Sequence, residues 1–264
     1  MLLAVDIGNT NIVAALFEGD ALRHNWRIFS DTRRTGDEYG SILRSLFHDA
    51  SVEIAAVRSS VLSSVVPALT APFVGMISTM TGQKPLLVNP QIFPKLPIKI
   101  SEDVAHEIGG DLVCNAVEAW CRFKGACIVG DFGTALSFIA VGSLGHIRGA
   151  AIAPGIGTAI KSLFSNAAQL PTVPLEAPSS TLGLNTIQSI QAGVVLGYQG
   201  LVESLVNRMK AELAEKEGIA PGDIHVIATG GLNNALQPLT AIFQQVDKEL
   251  TIRGLKRIAE LAII

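Results

Sequence analysis

The sequence predicts an α/β protein made of two duplicated halves, with mixed sheets flanked by helices. Short apolar runs alternate with longer segments of helical period, as strands interleaved with helices would. The stretch AVDIGNTNIVAALF near the start is echoed by IVGDFGTALSFIAV in the middle, and Asp131 stands 125 residues after Asp6. Each Asp is followed by Gly two residues later and by Thr within four, and a glycine (Gly19, Gly142) closes each second strand. Similarity at so long a period points to duplication of a whole unit, not to a short solenoid repeat. The halves are expected at 1–115 and 116–264, with the two Asp-Gly turns facing a common cleft.

The elements follow in order. Residues 2–6, 11–17 and 22–29 read as three strands joined by tight turns, one marked by Glu18-Gly19-Asp20. From Asp37 to Asp49 the apolar residues Tyr39, Ile42, Leu43, Leu46 and Phe47 fall at helical spacing. A strand is expected at Ile54–Val57, a helix over Pro67–Met80 with proline in its first turn, and a strand at Pro85–Val88. Pro90, Pro94 and Pro97 make 89–101 a loop. LVCNAVEAW, after Gly109-Gly110-Asp111, has helical character. The second half restarts with two strands across 126–141 and a third beyond Gly142. A helix opens at Gly155 and Gly157, a long helical stretch runs from Thr186 to Lys216, and in IATGGLNNAL (227–236) a strand ends at Thr229-Gly230-Gly231 before a helix begins.

Composition narrows the function classes. With 48% hydrophobic and 16% charged residues the chain can build a sizeable core, and at 5% aromatic that core is expected from Ala, Val, Ile and Leu. A net charge of −3 without a basic run gives no nucleic-acid surface. No uncharged apolar run approaches the ~20 residues that span a bilayer, and no secretory signal is expected ahead of the first strand. Three cysteines (114, 121, 127) without a C-x-x-C argue against a metal or disulfide framework, and Cys114 and Cys121, seven apart, are expected as buried core thiols. The five histidines are scattered, and a reducing, cytoplasmic setting fits the whole.

The turns carry the chemistry. Asp6-x-Gly8-Asn9-Thr10 offers a carboxylate, flexible backbone donors, an amide and a hydroxyl within five residues. Glycine lets successive N–H groups converge on phosphate oxygens, and a carboxylate can hold Mg²⁺ directly or through water. Taken alone, such a turn is usually only a hairpin. Its recurrence at Asp131-Phe132-Gly133-Thr134 changes that balance. Asp-Phe-Gly also occurs in protein kinases, but their His-Arg-Asp and glycine-rich loops are missing here. GIGTAIKS (155–162) fails as a P-loop because Ile160 stands where glycine must precede Lys161. The glycines at 155–157 and 230–231 fit either an anion-binding helix start or a plain strand–helix turn. From spacing alone Asp111 is a helix cap before it is a general base, Thr186 and Gln188 are capping residues, and Arg33, Arg34, Asp37 and Glu38 are a solvated surface.

Together, DIGNTN (6–11), TGDEY (35–39), SSVVP (63–67), GGDLVCNAV (109–117), GDFGTA (130–135), GAAIAPG (149–155), GLNTIQSIQAG (183–193) and ATGGL (228–232) resemble the type III pantothenate kinases. These belong to the acetate and sugar kinase/heat-shock 70/actin superfamily, and the resemblance spans nearly the whole chain. It implies two ribonuclease H-like, actin-like halves with the active-site cleft between them. It also implies ATP-dependent phosphorylation of pantothenate to 4′-phosphopantothenate, the first step towards coenzyme A, by a cytoplasmic homodimer needing Mg²⁺ and a monovalent cation, K⁺ or NH₄⁺. On matching positions, Asp6, Gly8, Asn9, Thr10 and Asn11 would handle ATP phosphates, with Asp6 on Mg²⁺. Gly133 and Thr134 would form the second phosphate turn, Gly230 would approach the nucleotide, and Asp131 would help bind the monovalent cation or complete the metal and phosphate site. Asp111 would be the general base, and Gly109, Gly110, Asp111 and Thr186 would bind pantothenate. Neither nucleic acid nor membrane is implied as a partner.

The chain departs from the family pattern at Gly109-Gly110-Asp111-Leu112, where Gly-Ala-Asp-Arg is common, and Leu112 cannot give a guanidinium to an anionic group. Val104-Ala105 replaces an upstream Asn-Pro, and the preceding loop lacks a Tyr. Two other readings stay open: a catalytically weakened, nucleotide-binding regulatory member of the family, and a kinase for another small hydroxylated substrate. Leu112 favours the former; intact Asp6, Asp111 and Asp131 favour the enzyme.

Overall fold

A computed structural model describes residues 1–166, 173–231 and 240–262. The chain forms two compact units: Met1–Glu118 with the C-terminal segment from Leu250, and Ala119–Glu249. In the first, β1 (Leu2–Ile7), β2 (Asn11–Glu18), β3 (Ala21–Phe29), β4 (Ser59–Ser64) and β5 (Leu86–Leu87) make one sheet of order β3-β2-β1-β4-β5. β1, β2 and β3 are antiparallel, whereas β4 runs parallel to β1 and β5 parallel to β4. In the second unit, β6 (Cys127–Phe132), β7 (Ala135–Val141), β8 (Ile147–Pro154), β9 (His225–Gly230) and β10 (Gln245–Val246) form the order β10-β9-β6-β7-β8. That is the first order read from the other edge. The expected duplication of mixed-sheet halves is therefore present.

The helices start where local chemistry allows. α1 (Gly36–Asp49) opens on a capping box in which Thr35 Oγ1 accepts the Glu38 N–H and Glu38 accepts the Thr35 N–H. Glu38 of the expected surface cluster thus has a local structural task, while Arg33 pairs with Asp31. α2 (Pro67–Thr81) has proline at its start and stops at Gly82, which is left-handed at φ +73°. A short α3 (Glu102–Ala105) precedes α4 (Gly110–Phe123). In the second unit α5 (Ile156–Asn166) follows β8 directly, and α6 (Thr186–Gln191) continues through one π-helical turn, Ala192–Leu196, into α7 (Gly197–Glu217). α8 (Leu250–Ala262) belongs to the first unit.

Three expectations need correction. Ile54–Val57 is not a strand: Ile54–Ala56 is a 3₁₀ turn, and the strand is β4, Ser59–Ser64. Val57 and Ile54 still pack on the core, whereas the serine-rich SSVLSS becomes a strand because it lies between β1 and β5. Aromatic residues, though few, are prominent inside: Phe17, Tyr39, Phe47, Phe73 and Phe138 are fully buried. Of the cysteines, Cys114 and Cys127 are buried but Cys121 is only partly so. The helix expected after Gly231 falls on 232–239, outside the described residues.

Strand alternation assigns the faces. Leu3, Val5 and Ile7 of β1 join Ile12, Ala14 and Leu16 of β2 against Tyr39, Leu43 and Phe47 of α1 and Leu69, Phe73 and Ile77 of α2. Asp6 therefore projects from the opposite face. α8 packs on β1, β2 and β4, and a Cβ on its Gly254 would run into the Cys114 carbonyl of α4. That close approach lets Thr251 donate to buried Asn115 (2.8 Å) and Arg257 pair with buried Glu118 (2.6 Å). No helix among the described residues is long and apolar enough to cross a membrane.

Candidate active site

In the first unit, Asp6 sits near the end of β1, and the chain turns back at once into β2. The Gly8 N–H donates to the Asn11 carbonyl (3.0 Å), and a Cβ on Gly8 would lie 3.0 Å from the same oxygen. Ser30, just past β3, clamps the turn: its N–H donates to Thr10 O (2.9 Å) and its hydroxyl to Gly8 O (2.6 Å). Asn9, Thr10 and Asn11 are exposed at the tip. The turn is thus a hairpin, and its polar groups face outward on a fixed backbone.

Asp111 lies in the first turn of α4, where its Oδ1 accepts the Leu112 N–H at 2.8 Å. Burial raises its pKa above the ordinary carboxylate value, and the N–H groups of Leu112 and of Asp111 itself oppose that rise. The helix start packs tightly: a Cβ on Gly109 would run into Asp111 Oδ1, and one on Gly110 would lie 2.8 Å from Ser63 Oγ. Ser63 is the register partner of Asp6 in the parallel β1–β4 ladder. Cys114, one turn into α4, has its thiol pushed well up by burial and then by the charges of both Asp6 and Asp111. The first unit therefore brings Asp6, Gly109, Gly110 and Asp111 together around Ser63 and Cys114.

The second unit holds its own turn. Gly133 N–H donates to Ala135 O (2.9 Å), and Thr134 O accepts from the Gly155 N–H (3.0 Å) and the Thr158 hydroxyl (2.7 Å). Gly155 is required where it stands, because a Cβ there would run into Gly133 O. At the neighbouring strand end, Gly230 is left-handed (φ +79°), and a Cβ on it would lie 2.5 Å from Asp131 Oδ1. Asp131, Gly133, Thr134 and Gly230 thus form a second group, with Thr229 the register partner of Asp131. Thr186 stands apart: it is exposed in the first turn of α6, and the helix is capped by Asn185, which accepts the Gln188 N–H.

Among the described residues, the buried side-chain atoms without a hydrogen-bond partner are Ser60 Oγ, Ser63 Oγ, His146 Nδ1 and Thr229 Oγ1. An unmade bond of this kind costs about 1–3 kcal/mol. Sequence reasoning gave none of the four a role, although Thr229 begins the Thr-Gly-Gly stretch and Ser63 opens SSVVP. It also missed Ser30 and Thr158, although the 125-residue offset relates Ser30 to Gly155 as it relates Asp6 to Asp131. Among the described residues no group of three or more His, Cys, Asp or Glu side chains could hold a metal unaided. Asp6, a carboxylate near the end of β1 at the Gly8 turn, is the kind of ligand Mg²⁺ takes when it keeps several waters and shares its shell with phosphates.

Comparison with known proteins adds to this geometry. Residues 2–208 match the family model described as type III pantothenate kinase. The type III pantothenate kinase of Moorella thermoacetica is 41% identical over 98% of this chain and 99% of its own length. That of Geobacter sulfurreducens is 40% identical, covering 98% of each chain. Among solved structures, the activator of the 2-hydroxyisocaproyl-CoA dehydratase from Clostridium difficile, with bound ADPNP, aligns at a TM-score of 0.50. It is 13% identical, over 98% of this chain and 95% of the other, a likeness of fold alone.

Proposed function

The chain belongs to the type III pantothenate kinase family, and from that premise we propose that it transfers the γ-phosphoryl group of ATP to the hydroxyl of pantothenate, the entry step to coenzyme A. The observation that carries the reading is Asp111, a part-buried carboxylate of raised pKa in the same side-chain cluster as Asp6. Phosphoryl transfer needs alignment and charge neutralisation more than covalent help. The Gly8 and Gly133 turns, each fixed by hydrogen bonds from beyond its third strand, offer exposed backbone and side-chain donors for phosphate oxygens. Asp6 takes Mg²⁺, which neutralises phosphate charge when bound, and Asp131 serves K⁺ or NH₄⁺. Asp111 accepts the proton as the acceptor hydroxyl attacks, and the N–H of Leu112 orients its carboxylate. Thr186 contacts pantothenate.

A homodimer in the cytoplasm completes the proposal. Ile152, Leu182 and Leu184 of the second unit are 71%, 81% and 91% exposed, apolar surface of the kind a second copy covers.

The test is ADP formation with ATP, Mg²⁺ and K⁺, with and without pantothenate. Pantothenate-dependent turnover is expected, and its absence at high protein concentration would sink the reading. Leu112 supports the alternative of a family member with weakened catalysis. Leu112→Arg distinguishes them: under the alternative it raises pantothenate affinity or turnover, and under the main reading it leaves both unchanged.

A further inference from the structure

Ser63 is fully buried, and its hydroxyl has no hydrogen-bond partner. The Cys114 thiol lies beside it, and the Ser63 hydroxyl opposes the burial-driven rise in that thiol's pKa. In the parallel β1–β4 ladder Ser63 is level with Asp6, so the two side chains leave the same face of strands about 4.8 Å apart. The second unit repeats the arrangement. Thr229 is fully buried, its hydroxyl has no partner, and it is level with Asp131 in the parallel β6–β9 ladder. There the carboxylate leans toward β9, because Asp131 Oδ1 is packed on Gly230, the residue next to Thr229.

Duplication explains why the strands coincide, but not why both positions hold an unpaired hydroxyl. Alanine or valine would fill either place without burying an unsatisfied donor. Ser60 supplies the contrast. It too is buried and unpaired, yet it is level with Leu3, on the face that packs into the apolar core.

We propose that Ser63 and Thr229 are positioning residues: each hydroxyl donates to the carboxylate beside it, Asp6 or Asp131, as that carboxylate takes up its cation. One carboxylate oxygen is then held while the other faces the ion. The inference rests on the reading that Asp6 serves Mg²⁺ with the nucleotide and Asp131 the monovalent cation.

The test compares Ser63→Ala, Thr229→Val and the control Ser60→Ala with the wild-type chain. Three readouts are needed: the unfolding midpoint without ligand, the Mg²⁺ dependence of binding a non-hydrolysable ATP analogue by calorimetry, and the K⁺ dependence of turnover. All three variants should unfold at or above the wild-type midpoint, since each loses an unpaired buried hydroxyl. Ser63→Ala should need about tenfold more Mg²⁺ to bind the analogue, and Thr229→Val about tenfold more K⁺ for half-maximal rate, the usual scale for an outer-shell donor. Thr229→Ser, which keeps the hydroxyl, and Ser60→Ala should retain wild-type cation dependence. Unchanged cation dependence in either Ser63→Ala or Thr229→Val, or an equal loss in Ser60→Ala, overturns the proposal. If the wild-type chain binds the analogue without regard to Mg²⁺, the reading of Asp6 fails first and the inference falls with it.

Discussion

The two Asp-Gly turns occupy the same place in duplicated sheets, yet each is held by different means. In the first unit a serine side chain and its own N–H tie down Gly8 and Thr10, and the chain then runs on as a loop towards α1. In the second unit a helix starts at once, and the backbone of Gly155 and the hydroxyl of Thr158 converge on Thr134 O. The first turn relies on one residue's side chain and N–H, whereas the second adds to the Thr158 hydroxyl a close backbone approach that permits no Cβ. The first unit also carries Asp111, set in the start of α4. Duplication preserved the frame and the carboxylates, while the fastening diverged.

That contrast can be broken or sharpened by substitution. The largest effect is expected at Asp111, because only a general base is lost outright: Asp111→Asn should lower kcat by about 10²–10⁴-fold with the circular dichroism spectrum unchanged. An unaltered kcat would remove the base from the first unit and leave the two units alike. The same variant tests burial. With the folded pKa of Asp111 raised above the unfolded one, the folded chain binds the extra proton, so this carboxyl's contribution to stability is fullest below the ordinary carboxylate range. It declines as pH rises through the raised value. Asp111→Asn without ligands should therefore gain on the wild-type chain in urea titrations as pH is raised across that window.

Gly155→Ala comes next. The added Cβ meets Gly133 O and Thr134 O, backbone that cannot step aside, and overpacking of this kind costs about 1–3 kcal/mol. A lowered unfolding midpoint together with weaker nucleotide binding is expected, and wild-type values in both would show that the second turn is not held by this contact. Ser30→Ala should be milder. It removes the hydroxyl bond to Gly8 O but keeps the N–H bond to Thr10 O, for about 0.5–1.5 kcal/mol in denaturant titration. A larger loss than in Gly155→Ala would reverse the ranking of the two fastenings.

Much of this was legible because it is local. Asp6-x-Gly8 and Asp131-x-Gly133 announce tight turns, Thr35 and Glu38 spell a capping box, and Pro67 and Gly82 bracket α2. β4 was misplaced for the opposite reason. SSVLSS lacks the alternation of a half-buried strand, and Ile54 and Val57 hold apolar positions in the core without extending. The candidate site divides in the same way. Its glycines and carboxylates stand out in sequence, but Ser63 and Thr229 look like any strand hydroxyl until a register puts each beside an aspartate.

The sequence by itself determined two strand–turn–strand units, the carboxylates that end their first strands, and a helix opening at Gly109-Gly110-Asp111. Period, glycine and capping chemistry act over a few residues and need no partner to be read. Tertiary structure alone decided that α8 completes the first unit, that Asp111 is buried enough to raise its pKa, and that two unpaired hydroxyls lie level with Asp6 and Asp131. Each depends on which distant segment supplies the neighbouring surface, and strand pairing and burial are settled only when those segments pack.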